Sequence, residues 1–285
     1  MKILITGGAG FVGSSLIKYL SEYSTNQIIS LDNYSTGSIT NHVQNENVIY
    51  LKDNTWNILD IEELKNFSPN LIFHFGEYSR IHKSFDEPSK VYQSNTFGTQ
   101  QVLEYAIKHK SKLIYSASSA TFGDNKNLSP YAFTKGQNIE LIKNYEKWYN
   151  LNYAICYFYN VYGPGQITEG EYATVIGIFE KQYKNSKPLT IVKPGTQTRN
   201  FTHIDDIIRA LILVSNLGKG DGYYIGVEKS YSIIELVELF KTEYIFIEER
   251  KGERYFSEIP KHNKLKTELG WKESINLYDY VKSIL

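Results

Sequence analysis

Short apolar runs alternate with longer segments of mixed apolar and polar residues through the first half of the chain. Continuous apolar runs such as Ile3-Leu-Ile5 and Leu71-Ile-Phe73 are typical of parallel strands buried on both faces. The longer segments show the spacing of amphipathic helices. The predicted strands are residues 2–6, 27–31, 48–51, 71–75, 112–116 and 153–158, and the predicted helices are residues 13–22, 61–66, 91–108 and 131–150.

Strands that alternate with helices predict an α/β fold, a doubly wound parallel sheet of the Rossmann type with helices on both faces. After the Gly-Pro-Gly sequence at 163–165 the rhythm becomes irregular. There the pattern predicts helices at 172–184, 205–215 and 233–241 and a strand at 189–192. We therefore expect a nucleotide-binding domain over 1–165, to which some later segments return, and a smaller C-terminal substrate-binding lobe over 166–285.

Composition narrows the class of protein. The 285 residues are 41% hydrophobic, and Lys plus Arg equals Asp plus Glu at 31 each, so no global charge attracts nucleic acid or an anionic membrane. A single cysteine, Cys156, predicts a reducing compartment. The chain shows neither a signal-peptide pattern nor a transmembrane-length apolar run, so we expect a cytoplasmic protein. The six histidines show no metal-ligand spacing, and no metal is expected.

A glycine-rich turn, Gly7-Gly-Ala-Gly10-Phe-Val-Gly13, joins the first predicted strand to the first predicted helix. Glycines let the backbone approach a pyrophosphate closely, and a helix N-terminus offers that anion N–H groups and the positive end of its dipole. A glycine triplet alone is a weak signal, but its position in the first strand–turn–helix unit is typical of a dinucleotide site.

An acidic residue, Asp32, follows the second predicted strand, nineteen residues after Gly13. A carboxylate there accepts hydrogen bonds from the adenosine ribose hydroxyls and repels a 2′-phosphate, so the sequence predicts NAD rather than NADP. Asp53 follows the third predicted strand, where it could contact adenine or simply lie in a surface loop.

Tyr131 and Lys135 lie four residues apart near the start of a predicted helix. That spacing places a phenol and an ammonium on one helix face. The positive charge favours the phenolate, the form in which tyrosine acts as a general base. Upstream, a predicted strand ends near Ser118 and Ser119, and a hydroxyl there could share the proton of a substrate hydroxyl with Tyr131.

Taken together these residues resemble the extended short-chain dehydrogenase/reductase family and, within it, the nucleotide-sugar 4-epimerases and dehydratases. The resemblance covers nearly the whole chain. Its motifs are Thr6-Gly-Gly-Ala-Gly-Phe-Val-Gly13, Leu31-Asp-Asn-Tyr-Ser-Thr-Gly37, His74-Phe-Gly76, Asn95-x-x-Gly98-Thr99, Ser119-Ala-Thr-x-Gly123, Ser129-Pro-Tyr131-x-x-x-Lys135, Tyr159-Asn160-Val-Tyr-Gly-Pro164, Arg199-Asn-Phe-Thr-His203-x-Asp-Asp206 and Leu269-Gly-Trp271.

The resemblance implies roles by position. Tyr131 would be the catalytic base, and Lys135 would also hold the nicotinamide ribose. Asn160, Arg199 and Arg250 would hold the diphosphate of a nucleotide-sugar substrate, a task that suits the guanidinium fork. The resemblance also implies a homodimer formed through the predicted helices 91–108 and 131–150. The NAD site would be lined by Gly7, Gly10, Phe11, Val12, Gly13, Asp32, Asn33 and Asn95.

Two departures from the family pattern bear on the site. The segment between Phe122 and Tyr131 is shorter than usual. The catalytic serine is therefore Ser118 when counted back from Phe122-Gly-Asp, and Ser119 when Ser-Ala-Thr is matched. Glu77 stands where a small residue is usual, and it could put a carboxylate near the sugar.

The leading hypothesis is 4-epimerisation of a nucleotide sugar. Tyr131 would remove the proton of the C4 hydroxyl while C4 gives hydride to NAD, and hydride would return to the other face of a transient 4-keto sugar. A nucleotide-sugar 4-dehydrogenase or 4-ketoreductase is the first alternative. A 4,6-dehydratase needs an acid and a base where Ala120-Thr121 or Ser119-Ala120 stands. A non-catalytic NAD-binding sensor would be favoured by loss of Tyr131 or Lys135, and both are present.

Overall fold

The computed structural model describes residues 1–249, 251–252, 254–256 and 259–285. The strands are β1 (Lys2–Thr6), β2 (Gln27–Asp32), β3 (Val48–Lys52), β4 (Leu71–His74), β5 (Lys112–Ser118), β6 (Tyr153–Phe158), β7 (Val161–Tyr162), β8 (Leu189–Val192), β9 (Thr198–Asn200), β10 (Thr202–His203), β11 (Gly220–Ile225), β12 (Ser230–Ser232) and β13 (Tyr244–Ile247). The helices are α1 (Phe11–Ser21), α2 (Glu62–Lys65), α3 (Pro88–Val91), α4 (Gly98–His109), α5 (Pro130–Tyr149), α6 (Val175–Lys184), α7 (Ile204–Leu217), α8 (Ile233–Phe240), α9 (Lys264–Thr267) and α10 (Leu277–Ile284). A π-helical segment, Tyr92–Phe97, joins α3 to α4 without a break.

Seven of these strands form one parallel sheet in the order β3-β2-β1-β4-β5-β6-β11. The order reverses beside β1, between β1 and β4, which is where ligands bind in doubly wound sheets. The predicted α/β fold with a parallel Rossmann sheet is thus confirmed, and most predicted elements agree with the structure to within a few residues.

Alternate residues of the central strands pack into two separate hydrophobic layers, as the period of a strand requires. Ile3 and Ile5 of β1 pack with α1 and α7, whereas Leu4 packs on the other face with α4 and α5. All three side chains are fully buried. The sheet is therefore covered on both faces, which explains why its strands are continuous apolar runs.

Helix α7 and strand β11 come late in the sequence, but both are part of the domain that contains the central sheet. Ile207 and Leu211 of α7 pack against the layer that contains Ile3 and Ile5, and β11 pairs with β6. The seventh strand has no counterpart among the predicted strands because Gly220-Asp-Gly begins it and breaks the apolar run.

A third apolar cluster forms the core of the smaller C-terminal part. It combines α6, α8 and α10 with β8, and Phe179, Leu236 and Phe240 are among its buried members. β8 and β13 form a separate parallel pair there. Among the helices of the described residues, none has the length and apolar character needed to cross a membrane.

Candidate active site

A cleft of about 860 Å³ runs along the carboxyl ends of the parallel strands. Its wall includes the turn after β1, the end of β2, the segment after β4 and the end of β5. We call the part around Gly7–Gly13 and Asp32 the glycine end, and the part around Ser118, Ser119 and Tyr131 the tyrosine end. The two ends belong to one continuous cavity, as expected for a cofactor and a substrate that must meet.

Close backbone contacts require the glycines of the turn after β1. Gly7 has φ +73°, and a Cβ there would lie 2.8 Å from backbone atoms of Phe75 and Gly76. A Cβ on Gly13 would lie 2.2 Å from the Gly7 carbonyl oxygen. Helix α1 begins at Phe11, and no side chain in the described part of the chain caps its N-terminus, so its first N–H groups are available to an anion. The predicted cofactor residues Gly7, Gly10, Phe11, Val12 and Gly13 all line the cleft.

Asp32, the last residue of β2, is held by backbone donors. Its carboxylate oxygens accept hydrogen bonds from Ala9 N (2.9 Å) and Tyr34 N (2.8 Å), and the side chain lines the cleft. Burial raises the pKa of the Asp32 carboxyl above its usual value, and these N–H groups offset part of the rise. The carboxylate is thus oriented into the glycine end, where the sequence places the adenosine ribose.

Asn33 and Asp53 also line the glycine end. The Asn33 amide donates to Asn54 Oδ1 at 2.9 Å, and Asp53 Oδ1 accepts from Asn54 N and Asn57 Nδ2, both at 2.7 Å. Both side chains are therefore fixed by neighbouring loop residues. For Asp53 the structure combines the two sequence alternatives, because it lies in a loop and borders the cleft.

Asn95, which the sequence predicts to line the NAD site, is engaged by hydrogen bonds within the protein. It lies in the π-helical segment, is fully buried and is not part of the cleft wall. Its Oδ1 accepts from Tyr78 N at 2.7 Å, and its Nδ2 donates to Thr134 Oγ1 at 3.1 Å. The predicted cofactor contact of Asn95 stays a prediction; in the structure the side chain attaches the segment after β4 to helix α5.

Helix α5 positions Tyr131 and Lys135. Its N-cap, Ser129, accepts a hydrogen bond from Ala132 N, and Pro130 occupies the first turn, so the helix starts immediately before Tyr131. Both side chains line the cleft. Within the described residues no protein group hydrogen-bonds the Tyr131 hydroxyl, which leaves it to a ligand. Lys135 donates to the Ser116 carbonyl at 2.5 Å and forms an ion pair with Glu77.

Ser118 and Ser119, at the end of β5, line the same part of the cleft. Ser118 Oγ accepts from Ala120 N at 3.2 Å and caps a short 3₁₀ turn. Ser119 Oγ lies 3.4 Å from Nη2 of Arg254. Both serines therefore stay candidates for the catalytic hydroxyl, and among the described residues Ser119 is the one of the two that contacts a cation.

Glu77 borders the cleft, and its carboxylate is engaged by groups of the protein. Its side chain is 2% exposed, and its carboxylate accepts from Asn138 Nδ2 (2.8 Å), Tyr115 OH (3.0 Å) and Thr99 Oγ1 (3.1 Å) in addition to Lys135. The predicted contact with the sugar stays a prediction; the contacts that the structure gives Glu77 are with protein groups around Lys135. We call Glu77, Thr99, Tyr115, Lys135 and Asn138 the Glu77 cluster.

His74 extends this polar network towards the glycine turn. Its Nδ1 lies 2.7 Å from Thr6 Oγ1, and its Nε2 lies 2.9 Å from Thr99 Oγ1. Because the single hydroxyl proton of Thr99 points to Glu77, His74 carries its proton on Nε2 and accepts at Nδ1. Burial lowers the pKa of His74 to about 4, so the imidazole is neutral.

Two of the three predicted diphosphate ligands lie on the cleft wall. Asn160 donates to the Asn200 carbonyl at 2.9 Å, and Arg199 donates to the Thr198 carbonyl at 2.8 Å. Arg250 lies outside the described residues. Sequence reasoning missed Arg254, which is 8% exposed and lines the tyrosine end. Its position four residues after Arg250 was the available signal, but only the fold brings it to Ser119.

The sequence profile of the NAD dependent epimerase/dehydratase family matches residues 3–226. The chain therefore belongs to this family, which confirms the resemblance and the choice of NAD as cofactor. The residues of the glycine end fit that cofactor, because a cradle without side chains and an oriented carboxylate are what a dinucleotide needs.

Individual relatives agree with this assignment. The chain is 33% identical to a protein of Methanocaldococcus jannaschii named "Putative UDP-glucose 4-epimerase", over 99% of this chain and 97% of that protein. It is 31% identical to the dTDP-D-glucose 4,6-dehydratase of Dictyostelium discoideum, over 83% of this chain and 61% of that protein. The crystal structure of the UDP-glucose 4-epimerase of Thermotoga maritima, solved with UDP-glucose, superimposes with a TM-score of 0.91 at 28% identity, covering 99% of this chain and 96% of that chain.

Proposed function

We propose that this protein is an NAD-dependent nucleotide-sugar 4-epimerase. The observation that carries the proposal is that Tyr131, with its hydroxyl open to the cleft, shares one cavity with the glycine turn and Asp32. A UDP-glucose 4-epimerase with a TM-score of 0.91 supports the same substrate class.

The residues of the chain divide the work between binding and proton transfer. The N–H groups at the start of α1 would hold the pyrophosphate of NAD, and the Asp32 carboxylate would accept its adenosine ribose hydroxyls. Lys135 has three N–H donors and uses two on Ser116 and Glu77, which leaves one for the nicotinamide ribose. When bound, NAD supplies a hydride acceptor and donor for C4 of the sugar.

Tyr131 would move the proton. Its phenolic oxygen would take the proton of the sugar C4 hydroxyl and give it back after the 4-keto sugar has turned its other face. Ser118 or Ser119 would hydrogen-bond the same sugar oxygen, while Asn160 and Arg199 would keep the nucleotide diphosphate fixed. The nucleotide must stay bound while the sugar turns, so the protein would bind the diphosphate more tightly than the sugar.

A 4,6-dehydratase is the second candidate because one relative has that name. Elimination of water across C5 and C6 needs an acid and a base beside the sugar. After Ser118 and Ser119 the chain has Ala120-Thr121, neither of which titrates near neutral pH, and the carboxylate of Glu77 is bound beneath Lys135. These observations favour the epimerase.

The test is turnover of a panel of UDP-, GDP-, dTDP- and CDP-sugars by the purified protein without added cofactor, followed by proton NMR and mass spectrometry. We expect a product of unchanged mass with inverted C4. A product lighter by one water would establish a dehydratase, and a product lighter by two hydrogens with NADH would establish a 4-dehydrogenase. A folded protein that binds NAD and converts none of the panel would favour a sensor.

We also propose a cytoplasmic homodimer formed through the helical segment 88–109 and α5. Phe97 in the first segment and Phe133 in α5 are 45% and 40% exposed, so an interface there would bury two aromatic side chains. The single cysteine supports a reducing compartment. Light scattering should give twice the chain mass for the wild type and the monomer mass for a Phe97→Glu/Phe133→Glu variant.

A further inference from the structure

The ion pair between Glu77 and Lys135 lies directly below the catalytic face of α5. The two side chains are 2% and 6% exposed. Burying a charge pair costs desolvation free energy, and replacing such pairs by apolar residues is often neutral or stabilising. Since such pairs often add little to stability, the place of this one beside the predicted base points to an effect on the chemistry.

The charges that surround Glu77 are few. Lys135 approaches from α5, Tyr115 from β5, His74 from β4, and Tyr131 lies one helical turn from Lys135. His74 is neutral, and burial keeps Tyr115 protonated by raising its pKa. Thr99 and Asn138 complete the shell with neutral donors. Among the described residues, the Glu77 carboxylate and the Lys135 ammonium are therefore the two formal charges of this cluster, and their sum is zero.

This balance matters for a cofactor whose charge changes during the reaction. The nicotinamide ring is positive when oxidised and neutral when reduced. An uncompensated ammonium at the nicotinamide ribose would repel the oxidised ring and favour the reduced one. An adjacent carboxylate offsets part of that repulsion, and the effect is stronger because the cluster is shielded from water.

We propose that Glu77 is a positioning residue that fixes the Lys135 ammonium at the cleft wall and offsets part of its charge, so that the bound cofactor is biased towards the oxidised form. This inference rests on the proposed function only through the placement of the nicotinamide beside Lys135. An enzyme that returns its hydride in every turnover must start each cycle oxidised, and the Glu77–Lys135 pair supplies that bias.

The test compares dissociation constants for NAD⁺ and NADH, measured without sugar by competitive titration of NADH fluorescence. Glu77→Gln keeps the size of the side chain and removes its charge. We expect the ratio Kd(NAD⁺)/Kd(NADH) to rise by about tenfold, equivalent to a rise of about 30 mV in the potential of the bound couple. Tyr115→Phe is the matched control: it removes one hydrogen bond to the same carboxylate without changing charge, and the ratio should stay at the wild-type value.

Two further variants keep the inference testable if Glu77→Gln does not fold. Lys135→Met leaves the Glu77 carboxylate without its counter-charge and should lower the ratio Kd(NAD⁺)/Kd(NADH). The double variant Glu77→Gln/Lys135→Met removes both charges and should restore the wild-type ratio. A ratio within twofold of wild type in folded Glu77→Gln, or an equal shift in Tyr115→Phe, would overturn the inference. Because no sugar is used, such a failure is distinct from failure of the epimerase proposal, which is decided by the sugar panel.

Discussion

At the glycine end the cleft wall comes largely from one short stretch of chain, residues 7–33, with Asp53 added from the loop after β3, and the Asp32 carboxylate is held by main-chain N–H groups. At the tyrosine end the wall consists of side chains from β5, α5 and the segment around Arg254, supported from below by the Glu77 cluster. The first end needs only local geometry, whereas the second depends on contacts between distant segments. Substitutions at the glycine end should therefore change the affinity for the cofactor, and substitutions at the tyrosine end should change turnover.

The largest expected effect is at the tyrosine end. Tyr131→Phe removes the hydroxyl that takes the sugar proton, and we expect kcat to fall by about a thousandfold, within the range for general acid–base groups. NAD affinity should change little, because the ring still packs against Ala120 and Ala132. Turnover measured by NMR and NAD content measured after gel filtration check both statements.

Tyr149→Phe is the control for that experiment, since Tyr149 lies at the other end of α5 and is exposed. It should keep wild-type kcat. Comparable activity of Tyr131→Phe and wild type would exclude Tyr131 as the base and would break the proposed division between binding and chemistry.

The second effect concerns acid stability of the network beneath the tyrosine end. Unfolded chain takes up a proton on His74 near pH 6.5, whereas the folded protein does so only near pH 4. Folding stability is therefore lost as the pH falls from 6.5 towards 4, and His74 contributes about 3 kcal/mol to that loss. Urea titrations at pH 7 and pH 4.5 should show a smaller pH dependence for His74→Gln than for wild type.

His262→Gln provides the comparison, because His262 is exposed. The pH dependence of the folding stability of His262→Gln should follow that of wild type. If His74→Gln and His262→Gln lose stability equally on acidification, the neutral buried imidazole is not the cause.

A third substitution tests the glycine end. Asp32→Asn removes a carboxylate that we expect to accept ribose hydrogen bonds, and the affinity for NAD should fall by about tenfold to a hundredfold, the range for hydrogen bonds to charged groups. Discrimination against NADP should fall as well, because the repulsion of a 2′-phosphate is lost. Calorimetric titration with both cofactors measures these changes, and kcat at saturating NAD should stay near that of wild type.

The smallest effect is expected for Arg254. Arg254→Met keeps much of the side-chain volume and removes the guanidinium beside Ser119. We expect kcat/KM for the sugar nucleotide to fall by about tenfold, as for loss of one charged hydrogen bond, with unchanged NAD affinity. A fall in NAD affinity instead would show that the two ends are not independent.

The contrast between the two ends of the cleft also explains how much of the fold and the site could be predicted from the sequence. Glycine spacing and the Asp32 position belong to one strand–turn–helix–strand unit, so most of the glycine end could be predicted from one local stretch of sequence. Apolar periodicity likewise predicted the six N-terminal strands, because parallel strands buried on both faces have an unmistakable pattern. Strand β11 escaped prediction, since its pairing with β6 joins segments about seventy residues apart and Gly220 and Gly222 interrupt its pattern.

The tyrosine end could be predicted only in part. Tyr131 and Lys135 follow from helix spacing, but the contacts of Glu77 depend on Thr99, Tyr115 and Asn138, which no sequence spacing relates. Asn95 was assigned to the cofactor from its motif, yet its amide is used within the fold. A motif locates a residue, while the direction of its side chain depends on neighbours from other elements.

The late position of β11 has a consequence for synthesis of the chain. Until residue 225 has left the ribosome, β6 is an open edge with unpaired N–H and C=O groups, and such edges invite pairing with other chains. The segment between β6 and β11 must emerge before the last strand can close the sheet. A chain cut anywhere before residue 220 should therefore aggregate rather than accumulate as a stable cofactor-binding fragment.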